Sequence, residues 1–150
     1  MDILNLGAGT RCLKDAVNHD LHKHHEGIDI AHDLNVLPWP WEDDSFDKIV
    51  SISVFEHLQI NLLQSVDECW RILRPGGILF IKLPHWKHDN AYVDPTHYWR
   101  FSPHTLKMFV PGTKLGDRYG FYTTRKWKFI KPPELNEGRS SFAATMEVIK

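Results

Sequence analysis

The stretch that decides the fold is Ile3–Thr10, with the sequence ILNLGAGT, in which an apolar run ends at two glycines. This pattern predicts a buried strand that leads into a ligand-binding loop, because Gly7 and Gly9 place no side chain between a ligand and the backbone. A pyrophosphate-binding loop would need a third glycine and a long helix, whereas Cys12 and its neighbours occupy that position. The loop therefore favours a ligand without a pyrophosphate, and the alternative is a simple tight turn.

Length and composition restrict the class of protein. The chain has 150 residues, a net charge of −1, 42% hydrophobic residues and 25% charged residues, which predicts one globular domain over residues 1–150. We expect neither a nucleic-acid nor a membrane partner, because there is no basic excess and no apolar run long enough to cross a bilayer. With no leader before the first strand, and with Cys12 and Cys69 far apart, we expect a cytoplasmic protein with reduced thiols.

The rest of the chain alternates between strand and helix patterns. A helix is predicted over Leu62–Leu73, where apolar residues recur every three or four positions, and the proline and glycines of residues 74–77 end it. A shorter helix is predicted to begin at Ser102. The predicted strands are Ile3–Leu6, Ala16–Leu21, Ile28–His32, Lys48–Val54, Ile78–Leu83, Phe121–Ile130 and Ala143–Ile149. The alternation predicts an α/β fold, a Rossmann-like open and mostly parallel sheet with an antiparallel C-terminal hairpin.

Two acidic residues lie at the ends of predicted strands. Asp20 ends the second strand, and Asp33 follows the third strand with Leu34 after it. In open α/β sheets, ligands bind outside the carboxyl ends of the strands, where an acid commonly accepts hydrogen bonds from ribose hydroxyls. Asp33 and Leu34 would contact the edge and the face of an adenine ring. For both acids the alternative is a solvated residue in a loop.

Five blocks occur in an order that resembles a known family. They are LNLGAG (4–9), NHDL (18–21), HDLNVLPWPWEDDSFDKIVSISVFEHL (32–58), ECWRILRPGGILFIKLPH (68–85) and YVDPTHYWRFSPHTLKMF (92–109). Together they resemble the class I S-adenosylmethionine-dependent methyltransferases, in particular a small bacterial and phage type with EHL and DPTH segments. The resemblance covers nearly the whole chain.

The resemblance implies a cofactor site, a strand order and an activity. The cofactor would be S-adenosylmethionine, and the sheet would have the order 3-2-1-4-5-7-6. Apart from the resemblance, a net charge near zero and a short lid lead us to expect a small-molecule or glycan-like acceptor, methylated on oxygen or nitrogen. His57, with Glu56, would cap the following helix and shape the pocket. The implied cofactor-binding residues are Gly7, Gly9, Asp20, Asp33, Leu34, Ser53, Val54 and His57.

The chain also departs from the family. The connections at residues 9–16 and 22–27 have almost no room for the helices that normally join strands one to two and two to three. We therefore expect reduced helices there and thin cover on one face of the sheet. A homodimer, or another partner, would hide the apolar surface that this leaves.

The segment 85–104 follows the fifth strand and is predicted to form a lid on the acceptor side. A hydroxyl acceptor needs a base, and histidine titrates near neutral pH. His85 and His97 are the predicted bases, with Asp94 orienting one of them. The predicted acceptor-binding residues are Trp86, Tyr92, Trp99 and Arg100. The alternative is that Asp94-Pro95-Thr96-His97 is only a structural turn.

Other functions remain open from the sequence. The histidine-rich stretch at residues 19–32 raises the possibility of a metal-dependent hydrolase, but its spacing matches no zinc motif, so we expect no catalytic metal. A non-catalytic module of methyltransferase fold, used for binding or assembly, is the main alternative to an enzyme. A nucleotide-dependent oxidoreductase is least favoured because the pyrophosphate loop is missing.

Overall fold

The computed structural model describes all residues from Met1 to Lys150 and contains one seven-stranded sheet. The strands are β1 (Ile3–Leu6), β2 (Val17–Asp20), β3 (Ile30–Ala31), β4 (Phe46–Ile52), β5 (Leu73–Pro84), β6 (Lys126–Leu135) and β7 (Ser141–Ile149). Their order is 3-2-1-4-5-7-6, with β1 to β5 parallel and β7 antiparallel to both β5 and β6. This confirms the predicted fold class, strand order and hairpin.

The central strands carry the core because they are covered on both faces. Leu4 and Leu6 of β1, Ile49 of β4 and Ile81 of β5 are all fully inaccessible to solvent. Near-continuous apolar runs of this kind are typical of parallel strands packed on both sides. The core therefore fixes the carboxyl ends of β1, β4 and β5 relative to one another.

The longer helix, α1 (Leu62–Ile72), packs one apolar stripe against the sheet. Asn61 caps it: its side chain accepts from the Gln64 backbone, and the Gln64 side chain accepts from the Asn61 backbone. The resemblance implied that Glu56 and His57 cap this helix. They do not, because they lie in a separate 3₁₀ turn, Phe55–His57. The helix ends at Ile72, and the proline and glycines of residues 74–77, which were predicted to end it, lie in the first part of β5 (Leu73–Pro84).

The loop that precedes β4 is fixed by a charged network behind it. Trp39, Trp41 and Phe46 are buried in the core. The guanidinium of Arg71 makes two 2.8 Å bonds to the Glu68 carboxylate and donates to the carbonyl oxygens of Trp39 (3.0 Å) and Trp41 (2.8 Å). Glu68 in turn accepts the backbone N–H of Trp39 at 2.7 Å. The ion pair between Arg71 and Glu68 thus provides hydrogen-bond partners for the buried backbone groups of Trp39 and Trp41.

No helix connects β1 to β2 or β2 to β3, as expected from the short connections. Two buried amides hold the first connection on the sheet instead. Asn5 donates to the carbonyl oxygen of Arg11 at 3.0 Å and to the Asn18 side chain at 2.9 Å, and Asn18 donates to the carbonyl oxygen of Leu13 at 3.0 Å. The sheet is therefore polar where the missing helix would have packed.

The C-terminal half differs from the predictions in detail. The helix predicted from Ser102 is a turn followed by a 3₁₀ helix, Thr105–Phe109, which buries Leu106 and Phe109. A second helix, α2 (Lys114–Tyr119), was not predicted. Strand β6 runs from Lys126 to Leu135 rather than Phe121–Ile130, because an edge strand accommodates Pro132 and Pro133. No helix in the structure is long and apolar enough to cross a membrane.

Candidate functional site

A cavity of about 240 Å³ opens at the carboxyl ends of the strands. It lies where Gly7 follows β1, Asp20 ends β2 and Ser53 follows β4. The predicted cofactor-binding residues that line it are Gly7, Asp20, Asp33, Leu34, Ser53, Val54 and His57. Gly9 does not line the cavity, although it contacts Asp20. The structure therefore brings together residues from four separate strand ends, as the sequence predicted.

The Asp20 carboxylate is held in place by the backbone. The N–H of Gly9 donates to its Oδ2 and the N–H of Leu21 to its Oδ1, each at 2.7 Å. A carboxylate oxygen can accept more than one hydrogen bond, so both oxygens keep capacity for hydroxyl groups in the cavity. This arrangement fits a pair of ribose hydroxyls.

Gly7 allows the backbone to pass close to Val54. Its φ is +59°, and a Cβ built on it would lie 2.5 Å from Cγ2 of Val54. Ser53 beside it also has a positive φ, of 55°, which is rare for a residue with a side chain and is typical of functional sites. The two strand ends thus form a narrow cradle that any side chain at position 7 would fill.

We expect Gly7→Ala to lower the free energy of unfolding by about 2–4 kcal/mol, from left-handed backbone strain and overpacking. The matched control is Gly9→Ala, which has the same backbone conformation (φ of +54°) but nothing within 4 Å of the new Cβ. It should cost only about 1 kcal/mol. Urea unfolding of both variants measures the difference, and equal losses would contradict the close contact with Val54.

The far end of the cavity has a rigid rim. Asp33 accepts from the backbone and from the side chain of Asn35, both at 2.9 Å, and Asn35 accepts from the Gln59 backbone at 2.6 Å. Leu34 is buried, and its carbonyl oxygen accepts from the Trp39 indole at 2.9 Å. Asp33 and Leu34 therefore offer one polar group and one apolar group side by side, as expected for an adenine-binding rim.

A second cavity, of about 400 Å³, adjoins the first. Ser53 and His57 line both cavities, so they form a shared wall. Asp94 and His97, two of the predicted catalytic residues, line the second cavity together with Glu56. The acceptor-side residues and the cofactor-side residues therefore meet at His57.

The tautomers of His57 and His97 follow from their hydrogen bonds. The Thr96 hydroxyl donates to Oδ1 of Asp94 at 2.6 Å, so it can only accept from Nδ1 of His57, which lies 2.8 Å away. Nδ1 of His97 lies 3.3 Å from the carbonyl oxygen of Ala91, which also can only accept. In the neutral form of each ring, Nδ1 therefore carries the proton and Nε2 keeps the lone pair; Nε2 of His97 lies 3.9 Å from Oδ2 of Asp94. Burial, and then the neighbouring His97, lower the pKa of His57 and keep it neutral.

Asp94 also forms the turn that was its structural alternative. Its Oδ1 accepts the backbone N–H of Thr96 at 2.8 Å, in addition to the Thr96 hydroxyl. These bonds lower the pKa of Asp94. The same carboxylate forms the turn and, through Thr96, orients His57, whereas it was predicted to orient His85 or His97; its Oδ2 lies 3.9 Å from Nε2 of His97.

Glu56 is a further functional candidate, which the resemblance had named only as a helix cap and as a residue that shapes the pocket. Glu56 is 1% exposed, and neither oxygen of its carboxylate has a well-formed hydrogen bond. Burial raises its pKa to about 7, and its own backbone and Ser53 offset only part of that effect. The position directly before His57 in the EHL block was the only signal for it in the sequence.

We expect the stability of the metal-free protein to fall between about pH 4.5 and about pH 7, from the ordinary pKa of Glu56 to its raised value. In this range the folded state holds the proton and the unfolded state does not, so raising the pH destabilises the fold, by about 3 kcal/mol in total. Glu56→Gln should remove this loss. Urea unfolding across the range in buffer with EDTA compares the two proteins, and parallel curves would contradict the raised pKa.

The remaining predicted site residues lie outside both cavities. His85 is buried, with Nδ1 3.1 Å from the carbonyl oxygen of Arg139. The Arg100 guanidinium lies 4.8 Å from the centroid of the Tyr92 ring and donates to the carbonyl oxygen of His97 at 2.9 Å. The Trp99 indole donates to the carbonyl oxygen of Leu58 at 2.8 Å, and Lys87 covers the ring of Trp86. These groups anchor the segment 85–104 in its present position, and their predicted contacts with an acceptor stay predictions.

The histidine-rich stretch binds its own loop. His19 is buried and its Nε2 lies 2.9 Å from the carbonyl oxygen of His32, and burial lowers its pKa. Nε2 of His24 and Nε2 of His25 both point at the carbonyl oxygen of Gly9, at 3.1 and 2.6 Å. His24 and His25 therefore hold the glycine loop in place through the carbonyl oxygen of Gly9.

The sheet has a Rossmann-like strand order, and its cavity opens at the carboxyl ends of β1, β2 and β4. Residues 11–81, just under half of the chain, match the family model described as a methyltransferase domain. A probable S-adenosylmethionine-dependent methyltransferase of Mycolicibacterium smegmatis is 41% identical over 58 residues. That match covers 39% of this chain, which spans about a fifth (22%) of the length of the relative.

Solved structures share the whole fold. A methyltransferase from Archaeoglobus fulgidus superposes with a TM-score of 0.66 at 17% identity, over 97% of this chain and 85% of that one. A putative methyltransferase of Haloferax volcanii, in complex with the activator Trm112, has a TM-score of 0.66 at 14% identity, over 99% and 83%. At these identities the likeness establishes the fold.

Proposed function

We propose that the protein transfers a methyl group from S-adenosylmethionine to an oxygen or nitrogen atom of a small-molecule or glycan-like acceptor. The observation that carries this proposal is the pair of cavities that share Ser53 and His57. The first cavity is lined by Asp20, by the backbone at Gly7, and by Asp33 and Leu34 at its rim, and this set fits an adenosyl group. The other has polar groups suited to an acceptor.

The residues of the first cavity would hold the cofactor in one orientation. Asp20 would accept from the ribose hydroxyls, and Asp33 and Leu34 would border the adenine. Gly7 would let the methionine part pass close to the backbone. When bound, S-adenosylmethionine supplies a methyl group on an already activated sulfur. The work left to the protein is alignment and the exclusion of water.

The second cavity would hold the acceptor beside the methyl group. Its volume of about 400 Å³ is in the range of small-molecule sites. Glu56, Asp94 and His97 line it, together with the cationic side chains of Arg11 and Lys82. This lining favours a polar acceptor, and the lone pairs of His57 and His97 are the groups available to activate it.

Calorimetric titration with S-adenosylmethionine and S-adenosylhomocysteine tests the first half of the proposal. We expect one binding site per chain for each. A screen of hydroxyl and amine acceptors by mass spectrometry, reading a gain of one methyl group, tests the second half. Failure to bind either compound would contradict the proposal and favour a non-catalytic module used for binding or assembly.

Assembly and location stay predictions. The thin cover at residues 9–16 and 22–27 was the reason to expect a homodimer, and a cytoplasmic location rests on composition alone. The activator complex of the Haloferax volcanii neighbour adds a partner protein as a further candidate. Size-exclusion chromatography with light scattering measures the state of the isolated chain.

A further inference from the structure

The wall of the second cavity contains three groups that converge without a partner. One ring nitrogen of His57, one of His97 and one carboxylate oxygen of Glu56 all lie within 4.8 Å of one another. Glu56 is 1% exposed, lines the cavity, and has no well-formed hydrogen bond on either oxygen. A buried carboxylate without a partner is costly, so this cluster calls for a cation or a donor that the chain itself does not provide.

The hydrogen bonds of the two histidines leave one nitrogen of each ring available to a metal ion. In each ring Nδ1–H donates to an oxygen, that of Thr96 for His57 and that of Ala91 for His97, so Nε2 is free. Histidine ligands in proteins almost always have their other ring nitrogen bonded to a carboxylate, a carbonyl or water. The Thr96 hydroxyl, which accepts from His57, is itself held in place because it donates to Asp94.

We propose that Glu56, His57 and His97 bind a divalent cation of the zinc type at the shared wall of the two cavities. Two neutral imidazoles and one carboxylate are the ligand set of open catalytic zinc sites, in which the fourth position takes water or substrate. Imidazole selects zinc and its neighbours over magnesium and calcium, which prefer oxygen.

The distances between the ligand atoms of Glu56, His57 and His97 allow the three groups to bind one metal ion after small movements. Ligand atoms bound tetrahedrally at the usual zinc distances lie about 3.3 Å apart. The three groups, within 4.8 Å of each other, would need to close by about 1.5 Å or less, which rotation of the Glu56 side chain and small ring shifts can supply. The fourth position would face the acceptor cavity, which Glu56 and both histidines line.

The inference of a metal site rests on the proposed function. It specifies the acceptor further, because a metal ion at this position would activate a hydroxyl group. A bound cation lowers the pKa of a coordinated hydroxyl, so the proton leaves to solvent without a dedicated base. The acceptor oxygen then forms a bond to the methyl carbon, while the sulfur keeps the electron pair of the broken carbon–sulfur bond. Nitrogen acceptors, which need no such activation, become the less favoured class.

The test is titration of the chelator-stripped whole chain with Zn²⁺ by calorimetry and with Co²⁺ by visible spectroscopy. We expect one equivalent of tight binding, and cobalt absorption bands of a four- or five-coordinate site. Glu56→Gln and His97→Asn should each weaken binding at least about 100-fold. Thr96→Val, which removes only the support of His57, should weaken it about 10- to 100-fold.

Controls separate this site from other histidines and from misfolding. The double variant His22→Asn/His104→Asn should bind Zn²⁺ like the original chain, because both histidines are exposed and lie outside the cavities. Loss of binding there, or full binding by Glu56→Gln and His97→Asn, would overturn the proposal. Each sample is also titrated with S-adenosylhomocysteine. A chain that binds this compound but no metal overturns the metal site alone, whereas failure to bind it counts against the proposed function.

Discussion

Replacing Asp20 with alanine should weaken the binding of S-adenosylhomocysteine at least about 100-fold. Its two carboxylate oxygens would each accept a hydrogen bond from a ribose hydroxyl, and bonds to a charged group contribute about 1.5–3 kcal/mol each. The substitution also releases the N–H of Gly9, which the carboxylate holds at 2.7 Å. Calorimetric titration of the original and variant chains measures the change.

Asp29 provides a matched control for this substitution. Its carboxylate also accepts a backbone N–H, that of Asn18 at 2.7 Å, but the residue is exposed and does not line the cavity. Asp29→Ala should lower stability slightly and leave the affinity unchanged. If both variants lost affinity equally, the effect would come from loop structure, and Asp20 would not be a ribose-binding residue.

Replacing Arg71 with methionine should lower the free energy of unfolding by about 3 kcal/mol. The change leaves Glu68, whose side chain is 11% exposed, without its charged partner, and breaking a largely buried pair from one side costs about 3–5 kcal/mol. It also leaves the carbonyl oxygens of Trp39 and Trp41 without their donor. Urea unfolding at neutral pH measures the loss.

The control is Lys128→Met, which breaks an exposed ion pair with Glu147. The lysine side chain is 57% exposed, so the pair should contribute less than about 1 kcal/mol. A similar loss for both variants would mean that Arg71 acts only as an ordinary surface charge, and that the loop of Trp39 and Trp41 is held by packing alone.

The cofactor side of the site could be predicted because it depends on backbone position. Strand ends of a parallel sheet meet at one edge, so placing the strands also placed Gly7, Asp20, Asp33 and Ser53. The acceptor side depends on where side chains point within a long irregular segment. His85 and His97 look equivalent in sequence, yet one bonds the carbonyl oxygen of Arg139 and the other faces the cavity. No periodicity distinguishes them.

The second helix was missed for a related reason. Lys114–Tyr119 is short and contains Gly116, which lowers helix propensity. The structure shows why glycine is needed there: a Cβ would lie 2.0 Å from the carbonyl oxygen of Val110. Tertiary contact thus selects a residue that the local pattern counts against a helix, and only the folded structure reveals that contact.

The two outer strands of the sheet have a consequence for behaviour at high concentration. An unpaired strand edge is a template on which another chain can add, and it is a common origin of aggregation. Here β3 has only two residues, and β6 carries Lys128, Lys131 and two prolines, with register shifts on either side of Lys131. Short length, positive charge and missing N–H donors all oppose strand addition. The sheet therefore resists polymerisation from either side, and a second copy would have to dock on a face rather than extend the sheet.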